Sequence, residues 1–216
     1  MFPRILPLAI LALTALPAAF ADEAPDRLEF TPAEIADWPQ REFDGAVTYR
    51  LAEDDRPAVE AVAEDGATAL YHEIEIDVSE TPWLEWSWRV DELPQGEASE
   101  REKAGDDYGA RIYVVQEGFF GKLSARALNY VWSRELAPGT QWPNAFTGRA
   151  HMISVERGDE RRGEWVTYRR DLREDWQAAF GEAPGTIHGI AIMTDSDNTD
   201  SRSVARYGRI RLLPDE

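Results

Sequence analysis

The amino-acid sequence predicts an all-β protein, a sandwich or a barrel, on three observations. Apolar and polar residues alternate with period two through most of the chain. Turn formers such as "EDG", "LPQGE", "LAPGT", "RGDERRG" and "EAPGT" divide the alternating runs, and helical spacing is confined to two short stretches. Alternation puts every second side chain on one face of a strand, and many short strands separated by turns build sandwiches and barrels.

The elements follow in order. The chain opens with "MFPRILPLAILALTALPAAFA", which has one early positive charge, Arg4, and an apolar stretch too short to span a bilayer comfortably. It closes on Ala19-Phe20-Ala21, the small-x-small pattern of a signal-peptidase site. Residues 1–21 are therefore expected to be removed, leaving residues 22–216 as one exported domain in the periplasm or outside the cell, with no membrane insertion after cleavage. In "TPAEIADW", Thr31 as cap, Pro32 at the first helical position and Glu34 at the third predict a short helix. "LYHEIEIDV" sends Leu70, His72, Ile74, Ile76 and Val78 to one face. "LEWSWRV" sends Leu84, Trp86, Trp88 and Val90 to one face, which is expected to be core. The polar stretch "DELPQGEASEREKAGDD" (91–107) is expected to be a mobile surface loop. "ARIYVVQ", "RALNYVWS", "HMISVERG" and "EWVTYRR" read as further strands. "DLREDWQAAFG" is the second helix, capped by Asp171, with Leu172 and Trp176 on one face and Gly181 at its end. "IHGIAIMT" and "ARYGRIRLL" complete the strand set.

The chain carries 23 basic and 41 acidic residues, a formal charge of −18. That balance repels nucleic acid and anionic membrane surfaces and attracts cations. The absence of cysteine excludes disulfides, thiolate metal sites and thiol nucleophiles. There is no G-x-S-x-G elbow, H-E-x-x-H pair, Walker loop or dinucleotide fingerprint. His72, His151 and His188 lack metal-ligand spacing, and His72 falls on an apolar stripe.

Three constellations are candidates for chemistry. In "GDDYGARIYV", Asp106 and Asp107 sit at a strand mouth, and Arg111 and Tyr113 share a face opposite Ile112 and Val114. An arginine in an apolar strand must meet a carboxylate, either as a structural salt bridge or as part of a ligand groove. In "SARALNYVWS", Asn129 faces opposite to Leu128, Tyr130 and Trp132. A buried amide there suits a site that grips hydroxyls, and Trp132 offers a face on which a sugar ring stacks, although aromatics in sandwiches are more often core. In "IMTDSDNTDSRS", Asp195, Asp197, Asn198 and Asp200 follow a strand end. Carboxylates at this spacing surround calcium in some turns, but Asp200 and Arg206 stand where an EF-hand needs glycine and glutamate. The competing structural reading is an Asx-rich hairpin turn.

Six ordered blocks resemble one known family: "WSWRV", "REKAGDDYGARIYV", "ARALNYVWS", "WPNAFTGRAHMISVERG", "WVTYRRDLREDWQAAFG" and "GIAIMTDSDNTDSRSVARYGRIRL". They look like the secreted bacterial family called domain of unknown function 3047, which implies no activity. More distantly, the order of elements is similar to galactose-binding-like jelly rolls, the sandwiches of many carbohydrate-binding modules. That resemblance implies a jelly-roll β-sandwich with one or two short helices, a sugar ligand and often a structural calcium.

The expected site is therefore a groove of Asp106, Asp107, Arg111, Asn129, Trp132, Asp195, Asp197 and Asn198. Asp195, Asp197 and Asp200 are the candidate calcium ligands. In the groove the carboxylates and the amide hold hydroxyls, Arg111 orients carboxylates or an acidic ligand, and Trp132 stacks. A carbohydrate or similar polar ligand is the expected partner. Two other classes stay open: a glycan-cleaving hydrolase or lyase using paired carboxylates, and an envelope interaction or assembly protein marked by an extended apolar patch.

Overall fold

A computed structural model describes residues 28–53, 55–118 and 121–215. The expected signal peptide, residues 1–21, lies outside the described residues. Strand β1 (Leu28–Phe30) leads into helix α1 (Pro32–Ala36), then β2 (Gln40–Asp44), β3 (Val47–Glu53), β4 (Pro57–Glu64), β5 (Ala67–Ile76) and β6 (Trp83–Glu92). Next come β7 (Ala110–Gly118), β8 (Gly121–Ser133), β9 (Gln141–Pro143), β10 (Ala150–Arg157) and β11 (Val166–Asp171). Helix α2 (Leu172–Phe180), β12 (Ile187–Asp195) and β13 (Arg202–Leu213) close the order.

These strands form two sheets. One runs β11-β6-β13-β4-β3, with β1 added to β13, and the other runs β2-β5-β12-β7-β8-β10-β9. The pairing is antiparallel except between β8 and β10, which are parallel. Most connections carry the chain from one sheet to the other, as in a jelly-roll sandwich. The two helices obey their local signals. Thr31 and Glu34 form a reciprocal capping box on α1, and Asp171 accepts from the Arg173 amide at 2.8 Å to start α2.

The core lies between the sheets, where the alternation places it. Leu84, Trp86, Trp88 and Val90 are all fully buried, and the Trp86 ring lies 5.4 Å from Trp88 and 5.0 Å from Tyr130. Trp132 belongs to the same core, fully buried 6.4 Å from Trp88, and its Nε1 donates to the Gly158 carbonyl at 3.0 Å. That corrects the expectation that it stacks on a ligand. It shares a strand face with Tyr130 and Leu128, so whatever buries those two buries it as well. His72 is half-buried and stacks on Trp38 at 5.2 Å.

The stretch 91–107 is another correction, because packing ties it down. Glu100 is fully buried, accepting from the Ser133 hydroxyl and, at 2.6 Å, from the Arg134 amide. The Arg134 guanidinium in turn donates to the carbonyls of Gly96 and Ala98. A Cβ at Gly105 would fall 2.4 Å from the Ser99 carbonyl oxygen, so the loop closes on itself through that glycine. A buried glutamate with bonded oxygens holds a segment whose polar composition suggests solvation.

The two outer faces differ in a way that positions the site. Ion pairs tile the six-stranded sheet, with Arg50 and Arg206 each 2.6 Å from the Glu60 carboxylate across neighbouring strands. On the seven-stranded sheet several outward positions are small. Ala67, Ala69, Ala191 and Met193 form a low cluster, and Tyr71 lies across Gly189, where an added Cβ would meet its hydroxyl at 2.3 Å. Small side chains on the central strands leave a trough where longer ones would fill the surface.

Candidate functional site

The trough is built around Arg111. Its strand, β7, lies between β12 and β8, so Arg111 stands opposite Met193, and Tyr113 stands opposite both Ala191 and Asn129. β12 ends at Asp195, beside the loop carrying Asp106 and Asp107. Arg111 Nε donates to Asp195 Oδ1 at 2.9 Å, and Nη2 donates to Asp195 Oδ2 and to the Asp106 carbonyl. Nη1 donates to the Tyr113 hydroxyl at 3.2 Å and lies 3.6 Å from Asp106 Oδ2. The guanidinium also lies 4.3 Å above the Tyr108 ring, and the Tyr108 amide donates to Asp195 at 3.0 Å.

Burial opposes the Arg111 charge, yet Asp195, Tyr113 and Asp106 outweigh it and hold its pKa well above the ordinary value. Burial also pushes the Tyr113 phenol up to about 12, so it stays protonated. Arg111 is thus a buried cation with its donors directed into the protein. Of its two expected roles it fills one, orienting the carboxylates of Asp195 and Asp106, and donors spent on those carboxylates do not serve the other, an acidic ligand.

The other predicted residues divide by what holds them. Asp107 is fully buried and serves the turn after β12, accepting from Thr199 Oγ1 at 2.6 Å and from Asn198 Nδ2 at 3.1 Å. Asp106 accepts from Asn144 Nδ2 at 2.9 Å and from the Tyr108 hydroxyl at 3.2 Å. Asn129, 1 % exposed, has no hydrogen-bond partner at either side-chain atom. Asp197 is half-buried, and its Oδ1 is buried without a partner.

A cavity of about 460 Å³ gathers Asp106, Arg111, Asn129, Asp195, Asp197 and Asn198 at the β12 end of the trough. Six of the eight expected groove residues therefore line one space; Asp107 supports it from behind, and Trp132 lies in the core.

Sequence reading missed two of its walls. Phe43, on the exposed edge strand β2, and Phe146, in the loop before β10, are 57 % and 56 % exposed and both line the cavity. Their signal was a large aromatic set among charges in "REFD" and among turn formers in "PNAFTG". A second hollow of about 760 Å³ continues the trough, sharing Phe43, Tyr113, Thr147 and Ala150. Its floor includes Ala69, Ala191 and Ala127, and Arg41, Arg126 and Arg149 line it.

The calcium expectation does not fit. Oxygens of Asp107, Asp195 and Asp197 lie within 4.8 Å of one another, while Asp200 is exposed on the turn with a φ of +48° and is not in that group. Calcium takes six to eight oxygens. Here both Asp195 oxygens face Arg111 and both Asp107 oxygens are bonded, leaving Asp197 to bind alone.

Asp197 titrates abnormally. Burial first, and the charge of Asp107 second, raise its pKa to about 6. The folded state therefore holds this proton more tightly than the unfolded chain, so ionising Asp197 weakens the fold as pH rises towards 6. Asp197→Asn is expected to gain stability over the parent as pH climbs from about 4 to about 7, with no difference at the acid end. Parallel urea titrations across that range check this; a difference independent of pH would contradict it.

The family model described as "Protein of unknown function (DUF3047)" matches residues 36–211. No curated protein matches the chain. Among solved structures, the chain is similar to the family 30 carbohydrate-binding module of a Clostridium thermocellum cellulosomal cellulase, at 10% identity and TM-score 0.48. That likeness covers 83% of this chain and 91% of the other. It is also similar to the family 11 module of the same organism in complex with a mixed-linked tetrasaccharide, at 11% identity and TM-score 0.43, covering 87% and 95%. The glycoside hydrolase domain of Endo-D from Streptococcus pneumoniae R6 matches at 10% identity and TM-score 0.41, over 83% of this chain. The chain spans 22% of that structure's length.

Proposed function

From a chain that belongs to the DUF3047 family, whose description assigns no activity, we propose a carbohydrate-binding protein, exported by its N-terminal segment, that holds a sugar chain along the trough of the seven-stranded sheet. The observation that carries this reading is Asn129. A fully buried amide with no protein partner costs about 1–3 kcal/mol. It sits at the floor of a cavity flanked by two exposed phenylalanines. Sugars present hydroxyls that both donate and accept beside apolar ring faces, which suits an amide below and aromatic rings at the sides. Tyr113 adds a phenol, and the adjoining hollow gives room for further units.

Cleavage is less well served. It requires two available carboxylates across the bond. Asp106, Asp107 and Asp195 all serve internal donors, and among these and Asp197 it is Asp197 that has a buried oxygen without a partner. An assembly role would call for an extended apolar patch, but the large exposed apolar side chains among the described residues are Phe43, Leu51 and Phe146, two of them at the trough.

Asn129→Leu separates ligand binding from scaffolding. Removing two unpaired buried polar atoms is expected to raise the stability of the free protein by about 1–3 kcal/mol and to weaken glycan binding at least about tenfold. Calorimetry against a panel of soluble glycans, paired with thermal melts, reads both. A variant that loses stability and keeps parental glycan affinity would overturn the proposal.

A further inference from the structure

The charge at the β12 end of the trough is one-sided. Asp44, Asp106, Asp195 and Asp197 line the cavity with a single guanidinium, Arg111. Arg111 is shared between Asp195 and Asp106, so Asp44 and Asp197 face the space without an equivalent cation, and Asp107 stands behind them. Asn129 lines the same cavity, and its buried side-chain oxygen and nitrogen have no protein partner.

An anionic ligand would meet this field with no free arginine to receive it. A hard cation would find the oxygens of Asp107 and Asp195 already bonded. An organic ammonium needs no complete oxygen shell, because its three N–H groups are satisfied by separate acceptors such as Asp197 and the Asn129 oxygen. The neighbouring hydroxyl of an amino sugar would then accept from the Asn129 nitrogen.

We infer that the acidic end of the trough takes an amino sugar with a free, protonated amine, directed at Asp197 and Asn129. This rests on the carbohydrate-binding reading and specifies its ligand class. The charged groups facing Asp197 are the carboxylates of Asp44, Asp107 and Asp195 and the Arg111 guanidinium, and Asp106 and Tyr113 line the same cavity. Lys103 lies farther out, 5.1 Å over the Phe146 ring.

Three tetrasaccharides with one β-1,4 glucose-type backbone test the inference, carrying at C2 a hydroxyl, an acetamide or a free amine. Calorimetry at about pH 6.5, where Asp197 is mostly ionised, is expected to show the amine form binding roughly tenfold more tightly than the hydroxyl form, the gain of one charge-assisted contact. Added salt should shrink that ratio. Asp197→Asn should bring it close to one, and the exposed Asp44→Asn should reduce it less, with circular dichroism confirming that both variants fold.

If the hydroxyl or acetamide form binds as well as the amine, the inference fails while the carbohydrate reading stands. If none of the three binds, both fail. If calcium alone raises the melting temperature of chelator-treated protein, the acidic end belongs to a metal and the inference is overturned.

Discussion

Arg111→Met is expected to cost about 3–5 kcal/mol of folding stability, the effect of stripping one partner from a buried ion pair. Asp195 is 1 % exposed and would be left with the Tyr108 amide, facing the charges of Asp107 and Asp106. Like charges in a dry site cannot all stay ionised without a cation, so much of the loss is the stranded carboxylate rather than the missing contact. For a domain of this size the melting temperature should fall by roughly 10 °C.

The double variant Arg111→Met/Asp195→Asn supplies the control. With the Asp195 charge no longer stranded, it should recover part of the loss and sit above Arg111→Met in a urea titration. A double variant no more stable than the single would mean that the guanidinium acts through packing against Tyr108, not through its charge.

Trp132→Ala carries the second large effect, about 3–5 kcal/mol, because it empties a fully buried indole site beside Trp88 and breaks the bond to the Gly158 carbonyl. Its counterpart is Phe146→Ala. That ring is 56 % exposed, so its removal should change stability by less than about 0.5 kcal/mol. Glycan affinity should nonetheless fall several-fold, since a stacked ring supplies apolar contact area. Denaturant melts and calorimetry on the two variants distinguish a core tryptophan from a ligand platform. Normal stability in Trp132→Ala would contradict the core assignment, and unchanged glycan affinity in Phe146→Ala would contradict the wall.

Much of the strand pattern was legible. "LEWSWRV" and "RALNYVWS" each put one parity into the core, and "ARIYVVQ" put Arg111 and Tyr113 on the face opposite Ile112 and Val114, as found. Parity also held a warning that the sequence reading passed over. Asn129 and Trp132 are three residues apart and point to opposite faces of β8, so they could not both line one groove. The polar stretch 91–107 misled because its composition describes solvation, whereas buried residues within it, among them Glu100 with its bonds to Ser133 and Arg134, decide its position.

The sequence alone determined the strand alternation and the helix caps, which depend on neighbours within a few positions, and the acidic balance and the exclusion of thiol chemistry, which depend on composition alone. Tertiary structure decided which polar residues meet. Asp106 and Asp195 are far apart in the chain and share Arg111 because β12 pairs with β7. Phe43 and Phe146 come from opposite sides of the seven-stranded sheet and flank one cavity because the order of the strands between them brings both edges to it. Local periodicity sets the direction of a side chain, whereas strand order sets its company, and a binding site is made of company.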